Sequence, residues 1–214
     1  MGFCLFNNGA IATKWAQAEY NLKRVVIIDF DVHHGNGTHE AFYDNPQVLY
    51  ISTHEYPFYP GTGSAEETGR GEAKGTTVNI PLPGGCGDIE YLQVFKQIIV
   101  PVAKRFKPQL IMVSAGYDLH WADGIALMQV SVTGFAQMAR IIKQLADELC
   151  GGRLVFTLEG GYNVNALAAS IRATFDVLLG NTKIEDPLGQ SPRRFQTPSI
   201  ANLLERIKEI HNLP

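Results

Sequence analysis

A chain of 214 residues with 45% hydrophobic and 18% charged residues can bury a core without staples, and its balance is that of a compact protein rather than a disordered or fibrous one. Its net charge of -3 supplies no electrostatic reason for direct contact with nucleic acid or an anionic membrane. Cys4, Cys86 and Cys150 show no CxxC spacing, which argues against a disulfide framework or a thiolate zinc knot and favours a reducing cytoplasm, and no apolar run or leader pattern suggests a membrane span or signal peptide.

Met1 runs directly into the apolar residues Gly2 to Phe6, which reads as the middle of a domain. Asn7 or Asn8 is placed to cap a helix through Ile11, Trp15, Ala18 and Leu22. Arg24 to Asp31 is a continuous apolar run ending in acids, the pattern of a parallel strand covered by helices on both faces. Gln47 to Ser52 and Thr76 to Pro81 are shorter strands, separated by a glycine-rich loop, Tyr56 to Gly75, whose length points to function. Asp88 is expected to cap a helix through Leu92, Phe95, Ile98, Ile99 and Val102, which Pro101 would kink or restart. A strand at Gln109 to Ala115, a helix from Gly134 to Leu149 stopped by Gly151-Gly152, and a strand at Arg153 to Leu158 follow. Asn163 or Asn165 opens a helix to Leu179, Asn181 to Thr197 is an extended polar connection, and Ile200 to Ile210 is a last amphipathic helix. Strand and helix alternate throughout, so the expected fold is α/β, three layers with a mainly parallel sheet flanked by helices.

In such sheets ligands gather outside the carboxyl ends of the strands. Asp29, Asp31, His33 and His34 close one strand, Tyr117, Asp118, His120 and Asp123 the next, and Glu159 to Tyr162 the third. Alternation along an extended strand would send Asp29, Asp31 and His33 to one side. Asp31 and His33, with Asp123 as the best-placed third donor, would give two carboxylates and an imidazole, the set that holds catalytic zinc and would also suit iron or cobalt. A lone Asp-x-His is weak evidence, because acids and histidines at strand ends are often only solvated. Three such clusters on one edge are stronger. Tyr162 by itself reads equally well as a rim tyrosine and as a catalytic hydroxyl.

Several ordered motifs, Asp29-Phe30-Asp31-Val32-His33-His34-Gly35-Asn36-Gly37-Thr38, Tyr59-Pro60-Gly61-Thr62-Gly63, Ser114-Ala115-Gly116-Tyr117-Asp118 through Asp123, Leu158-Glu159-Gly160-Gly161-Tyr162, and Gly2 to Asn8, resemble the histone deacetylase and acetoin-utilisation family. The resemblance implies an arginase/deacetylase-like domain lacking its early strands. Residues 1–180 would be the C-terminal part of the catalytic domain, and 181–214 a connection and terminal helix of that domain. It implies zinc held by Asp31, His33 and Asp123, with Tyr162 binding the scissile carbonyl of an acetylated protein lysine or small acetylated amine. Phe3, Tyr59, Gly161 and Val130 would line the substrate slot. A structural potassium would lie by Asp29, Asp31, His33, Ser52 and Thr53, and a second monovalent ion near Phe42, Asn45 and Val48. His34 would support the fold without a catalytic role. Ile125, two residues beyond Asp123, stands where polyamine-selective relatives carry an acid, which favours acetyl-lysine over acetylpolyamine.

The family places a tandem histidine pair, one member a general base, before the Gly-Phe-Cys segment, and this chain has no residue there. The expectation is therefore weak activity and, with early strands absent, an unpaired edge on the first parallel strand. A non-catalytic acyl-lysine or partner-binding protein and a binuclear ureohydrolase are competing readings. One divalent ion per chain favours the deacetylase, and a close pair favours the ureohydrolase.

Overall fold

The computed structural model describes residues 5–192 and 199–214, so Phe3, Cys4 and part of the extended connection lie outside the described residues. Five strands, β1 (Val25–Asp29), β2 (Val48–Glu55), β3 (Thr77–Leu82), β4 (Leu110–Ala115) and β5 (Leu154–Leu158), form one sheet in the order β3-β2-β1-β4-β5. All four ladders are parallel. Every residue of β1 is buried, because the strand alternates between two cores. Val25 and Ile27 pack with Tyr50 and Met112 beneath α1 (Asn8–Tyr20) and α2 (Asn36–Phe42). Val26 and Ile28 join the larger core on the other face, under α3 (Asp88–Val94), α4 (Val100–Phe106) and α5 (Val132–Cys150). α6 (Val164–Leu178) packs on α5 through Ala173 and Val177 against Val132, Ala136 and Ala139. α7 (Ala201–His211) adds Leu204 and Ile207 to the larger core. The result is the three-layer α/β sandwich that the strand–helix alternation predicts.

The first parallel strand does not present an edge. β1 lies at the centre, in register with β2 from Val25↔Val48 to Asp29↔Ser52 and with β4 from Val25↔Leu110 to Asp29↔Ser114. A strand with four consecutive apolar residues, Val25 to Ile28, is stable only where both edges and both faces are covered. The edges are β3 and β5, and they differ. β3 is buried except at Pro81, and Asn79 donates from it to the carbonyls of Ser64 and Glu67 in the long loop. β5 is more open, with Val155 45% and Leu158 54% exposed.

Local chemistry sets the helix starts. The side chains of Asn7, Ser131 and Asn163 accept from the backbone N–H groups of Ala10, Gly134 and Ala166, satisfying donors that the first helical turn leaves free. Asp88 departs from expectation: it is the first residue of α3, Gly87 holds the cap position, and Glu90 accepts the Gly87 N–H. The Asp88 carboxylate instead accepts from the Ser131 N–H at 2.8 Å and its hydroxyl at 2.6 Å, tying α3 to the start of α5. A widened π turn, Phe95–Ile99, separates α3 from α4. Pro101, in the first turn of α4, cannot donate and would crowd the carbonyl four residues back, which a widened turn relieves. α2 was not foreseen, since Gly35 and Gly37 mask seven helical residues behind a turn-like sequence.

Candidate metal centre

The acids and histidines gather at the carboxyl ends of β1 and β4. β1 stops at Asp29, so strand alternation does not continue to His33, and short side-chain-to-backbone links take over. Asp29 Oδ1 accepts the Asp31 N–H at 3.1 Å, and Asp31 Oδ1 accepts the His33 N–H at 2.9 Å. Asp29 turns to the α1/α2 face, where the Tyr50 hydroxyl donates to it at 2.8 Å. Burial first, and then Asp31, hold its carboxyl well above the usual range.

Asp31, His33 and Asp118 form one group, with a ligand atom of each within 4.8 Å of the others. His33 Nδ1 lies 3.1 Å from Asp31 Oδ1 and 3.5 Å from Asp118 Oδ2. Burial would lower the His33 imidazole, but the Asp118 carboxylate close beside it and its hydrogen bond to Asp31 outweigh that and hold it at about 9. Asp118 is pushed up to about 6 by burial and by the Asp31 charge. Its Oδ1 accepts the Val32 N–H at 3.0 Å, while the buried Oδ2 has no hydrogen-bond partner among the described residues. Two carboxylates and an imidazole crowded below the surface, one oxygen left without a donor, suit a divalent cation: it would replace the proton shared with His33 and satisfy the free oxygen. Gly116 and Gly160 allow this approach, since a Cβ at either would overlap Asp31, and at Gly160 also Asp118. The Gly160 N–H donates to Asp31 Oδ2 at 2.9 Å.

The third member of the group is Asp118, not Asp123. Asp118 lies three residues past β4, which pairs directly with β1, and so falls beside Asp31 and Val32. The chain then turns twice, His120 N–H to the Tyr117 carbonyl and Asp123 N–H to the His120 carbonyl, carrying Asp123 toward the end of β5. There Asp123 Oδ2 accepts the N–H groups of Tyr162 and Asn163 at 2.6 and 2.8 Å, and Asn163 Nδ2 donates to the Ala122 carbonyl at 2.8 Å. Asp123 therefore anchors the turn that carries Tyr162, whose side chain is 47% exposed at the rim. The distance from the end of β4 distinguishes the two acids in the sequence.

The remaining site residues divide clearly. Tyr59, exposed, meets the His33 ring edge-on at 6.1 Å, and Phe58 stacks on that ring at 5.5 Å. Phe58 was not singled out, although it stands in the aromatic run Tyr56-Pro57-Phe58-Tyr59 beside a motif that was. Gly161 is half-buried in the turn before Tyr162. Val130 is fully buried in the larger core, which corrects its placement at a substrate mouth. Ile125 is half-buried against the same core. The Thr53 hydroxyl donates to the Asp29 carbonyl at 3.4 Å, and the Ser52 hydroxyl pairs with His54 Nδ1 at 2.9 Å. Phe42, Asn45 and Val48 form the tight turn from α2 into β2. His34 is buried against Thr62 and His39, and burial followed by the charges of His54 and His39 lowers it to about 3.

A parallel sheet with an acid–imidazole group beyond two adjacent strands is the mark of an α/β protein with a candidate metal site at the carboxyl edge of its sheet. Its sequence matches the Histone deacetylase domain over residues 1–178. It is 48% identical to "Histone deacetylase 14, chloroplastic" of Arabidopsis thaliana over 100% of this chain and 51% of that protein. It is 50% identical to a "Probable deacetylase" of Archaeoglobus fulgidus over 76% of this chain and 45% of that protein. The solved HDA15 HD domain superposes with a TM-score of 0.86 at 40% identity, covering 99% of this chain and 56% of that one. The chain thus belongs to the histone deacetylase family, and it spans about half the length of the curated relatives it matches. Among the described residues no helix is long and apolar enough to cross a membrane.

Proposed function

We propose that this chain supplies the zinc-binding part of a deacetylase that hydrolyses the acetyl amide of acetyl-lysine. The observation that carries the reading is the meeting of Asp31, His33 and Asp118. Zinc bound there supplies Lewis acidity toward the acetyl carbonyl and lowers the pKa of water. The chain's own residues do the rest. Asp31, Asp118 and His33 hold the ion, Phe58 and Tyr59 flank the His33 ring with apolar surface suited to lysine methylenes, and Gly161 adds no side chain to the slot wall before Tyr162. The Tyr162 hydroxyl donates to the carbonyl oxygen as negative charge develops on it. Asp29, Ser52 and Thr53, at the ends of β1 and along β2, are the residues for a structural potassium. Ile125 gives a second substrate cation no partner, which favours acetylated protein lysines over acetylpolyamines. The buried thiols Cys86 and Cys150 fit a reducing compartment such as the cytoplasm.

Hydrolysis also needs a proton acceptor. Of the five histidines other than His33, four make their hydrogen bonds and ring contacts elsewhere, His211 is buried at the end of α7, and none bonds to Asp31 or Asp118. The 214-residue polypeptide assayed alone is therefore expected to turn over on the order of 10²–10⁴-fold more slowly than an enzyme with a base in place. The test pairs metal analysis with activity. One tightly bound zinc per chain, acetyl-lysine peptide binding and slow turnover support the proposal. Binding without any turnover would favour an acyl-lysine-binding protein, a closely spaced metal pair would favour a ureohydrolase, and failure to bind zinc would remove the basis of the reading. Robust turnover would refute the missing acceptor, and preference for acetylspermidine would overturn the role given to Ile125.

A further inference from the structure

At the opposite ends of the strands lies a cavity of about 360 Å³ that the deacetylase reading does not use. It opens between the C-terminal turns of α4 and α7, the first residues of β2 and the Lys74–Thr76 turn that leads into β3. Leu49, Val102, Phe106 and Ile210 make its apolar wall. Lys74 and Arg105 bring two cations to it, no carboxylate side chain lines it, and neither cation forms an ion pair among the described residues. The carbonyl end of α7 carries partial negative charge, but Arg105 already donates to the carbonyls of His211 and Asn212 at 2.6 and 3.3 Å. That contact also fixes the guanidinium at the cavity rather than leaving it to sweep through solvent.

The second observation is His211, the last residue of α7 and part of the cavity wall. It is 3% exposed, yet neither ring nitrogen has a hydrogen-bond partner among the described residues. An imidazole buried with both nitrogens unsatisfied is costly unless something outside the chain completes it. A net positive, carboxylate-free cavity with an apolar wall and an unsatisfied imidazole has the composition of a site for an amphipathic anion.

We infer that this cavity is a second ligand site, separate from the metal centre, that takes a small organic acid with a carboxylate or phosphate head and an apolar body. The head lies between Lys74 and Arg105 with His211 behind it, and the body lies along Leu49, Val102, Phe106 and Ile210. In the empty cavity burial, and then the Arg105 charge, hold the His211 imidazole down at about 4. An anion beside it stabilises the protonated ring, so occupancy raises that value.

The test uses the intact chain with isotope-labelled histidine and follows the His211 ring by NMR. Hexanoate and phenyl phosphate represent the two head groups, hexanol is the neutral control, and inorganic phosphate is the head without a body. Saturable shifts of the His211 ring with hexanoate or phenyl phosphate are expected, together with an upward move of its titration midpoint; which of the two binds more tightly identifies the head group. Lys74→Gln, an exposed change that leaves the helices untouched, should weaken binding roughly fivefold. The inference is overturned if neither acid shifts the ring at millimolar concentration, if hexanol binds as well, if inorganic phosphate matches phenyl phosphate, or if Lys74→Gln changes nothing. None of these readouts depends on zinc or on turnover, so the outcome is independent of the deacetylase proposal.

Discussion

The two ends of one parallel sheet carry opposite chemistry. Beyond the carboxyl ends, Asp31 and Asp118 crowd around a single imidazole that is held at about 9. Beyond the amino ends, Lys74 and Arg105 stand by an imidazole that is held at about 4. Both histidines lie largely below the surface, and burial lowers both; neighbouring charge decides which way each finally moves. The difference teaches that the strands only set the positions. The side chains of the loops and helix ends set the sign of the field, and so the sign of the ligand proposed for each end.

The contrast is broken most directly at the metal end. Asp118→Asn should weaken zinc by more than the roughly 10–100-fold that follows loss of a residue that merely orients a ligand. Asp123→Asn should leave zinc affinity within a few-fold, by the same competition titration against a chromophoric chelator. Equal effects of the two would return Asp123 to the ligand set. Next in size is the pH response. The metal must displace the proton from His33, so zinc affinity should rise about tenfold per pH unit below the value near 9 and level off above it, apart from ordinary metal hydrolysis. Buffer-dependent calorimetry measures that proton directly, and absence of proton release near neutral pH would mean that His33 is already neutral.

Smaller effects sharpen the comparison. Asp123→Ala removes the acceptor for two backbone N–H groups and should cost about 1–3 kcal/mol in chemical denaturation, without loss of metal. At the other end, His211→Leu replaces an unsatisfied buried imidazole with an apolar side chain and should raise stability by about 1 kcal/mol near neutral pH. Its pH signature has a defined sign. His54 and His211 are both held at about 4, against 6.5 in the unfolded chain. Above 6.5 both are neutral in either state and add no pH dependence; as pH falls from 6.5 toward 4 the unfolded chain takes up protons that the folded chain refuses, so stability declines. The His211→Leu protein should decline less over that window, and an identical decline would show that His211 does not titrate as described.

Much of this was legible in the residues. The apolar run from Val25 through Ile28, the caps at Asn7 and Asn163, and the Gly151 stop depend on neighbours within a few positions, and local periodicity and capping chemistry reveal such features. The motifs also placed Asp31, His33 and Tyr162 at one edge of the sheet. The short α2 is hidden because its glycines mimic a turn, and Asp88 stands where a cap is wanted although its partner, Ser131, is 43 residues away.

By itself, the sequence determined the order of strands and helices, the parallel character of the sheet and the edge on which its acids and histidines collect. These follow from short-range patterns of apolarity, capping and turn residues. Only the tertiary structure decided that β1 lies at the centre, that Asp118 rather than Asp123 stands beside His33, that Val130 is sealed in the core, and that Lys74, Arg105 and His211 share one cavity. Those facts depend on which strands become neighbours and how far each loop carries its side chains, quantities set by packing between segments far apart along the chain.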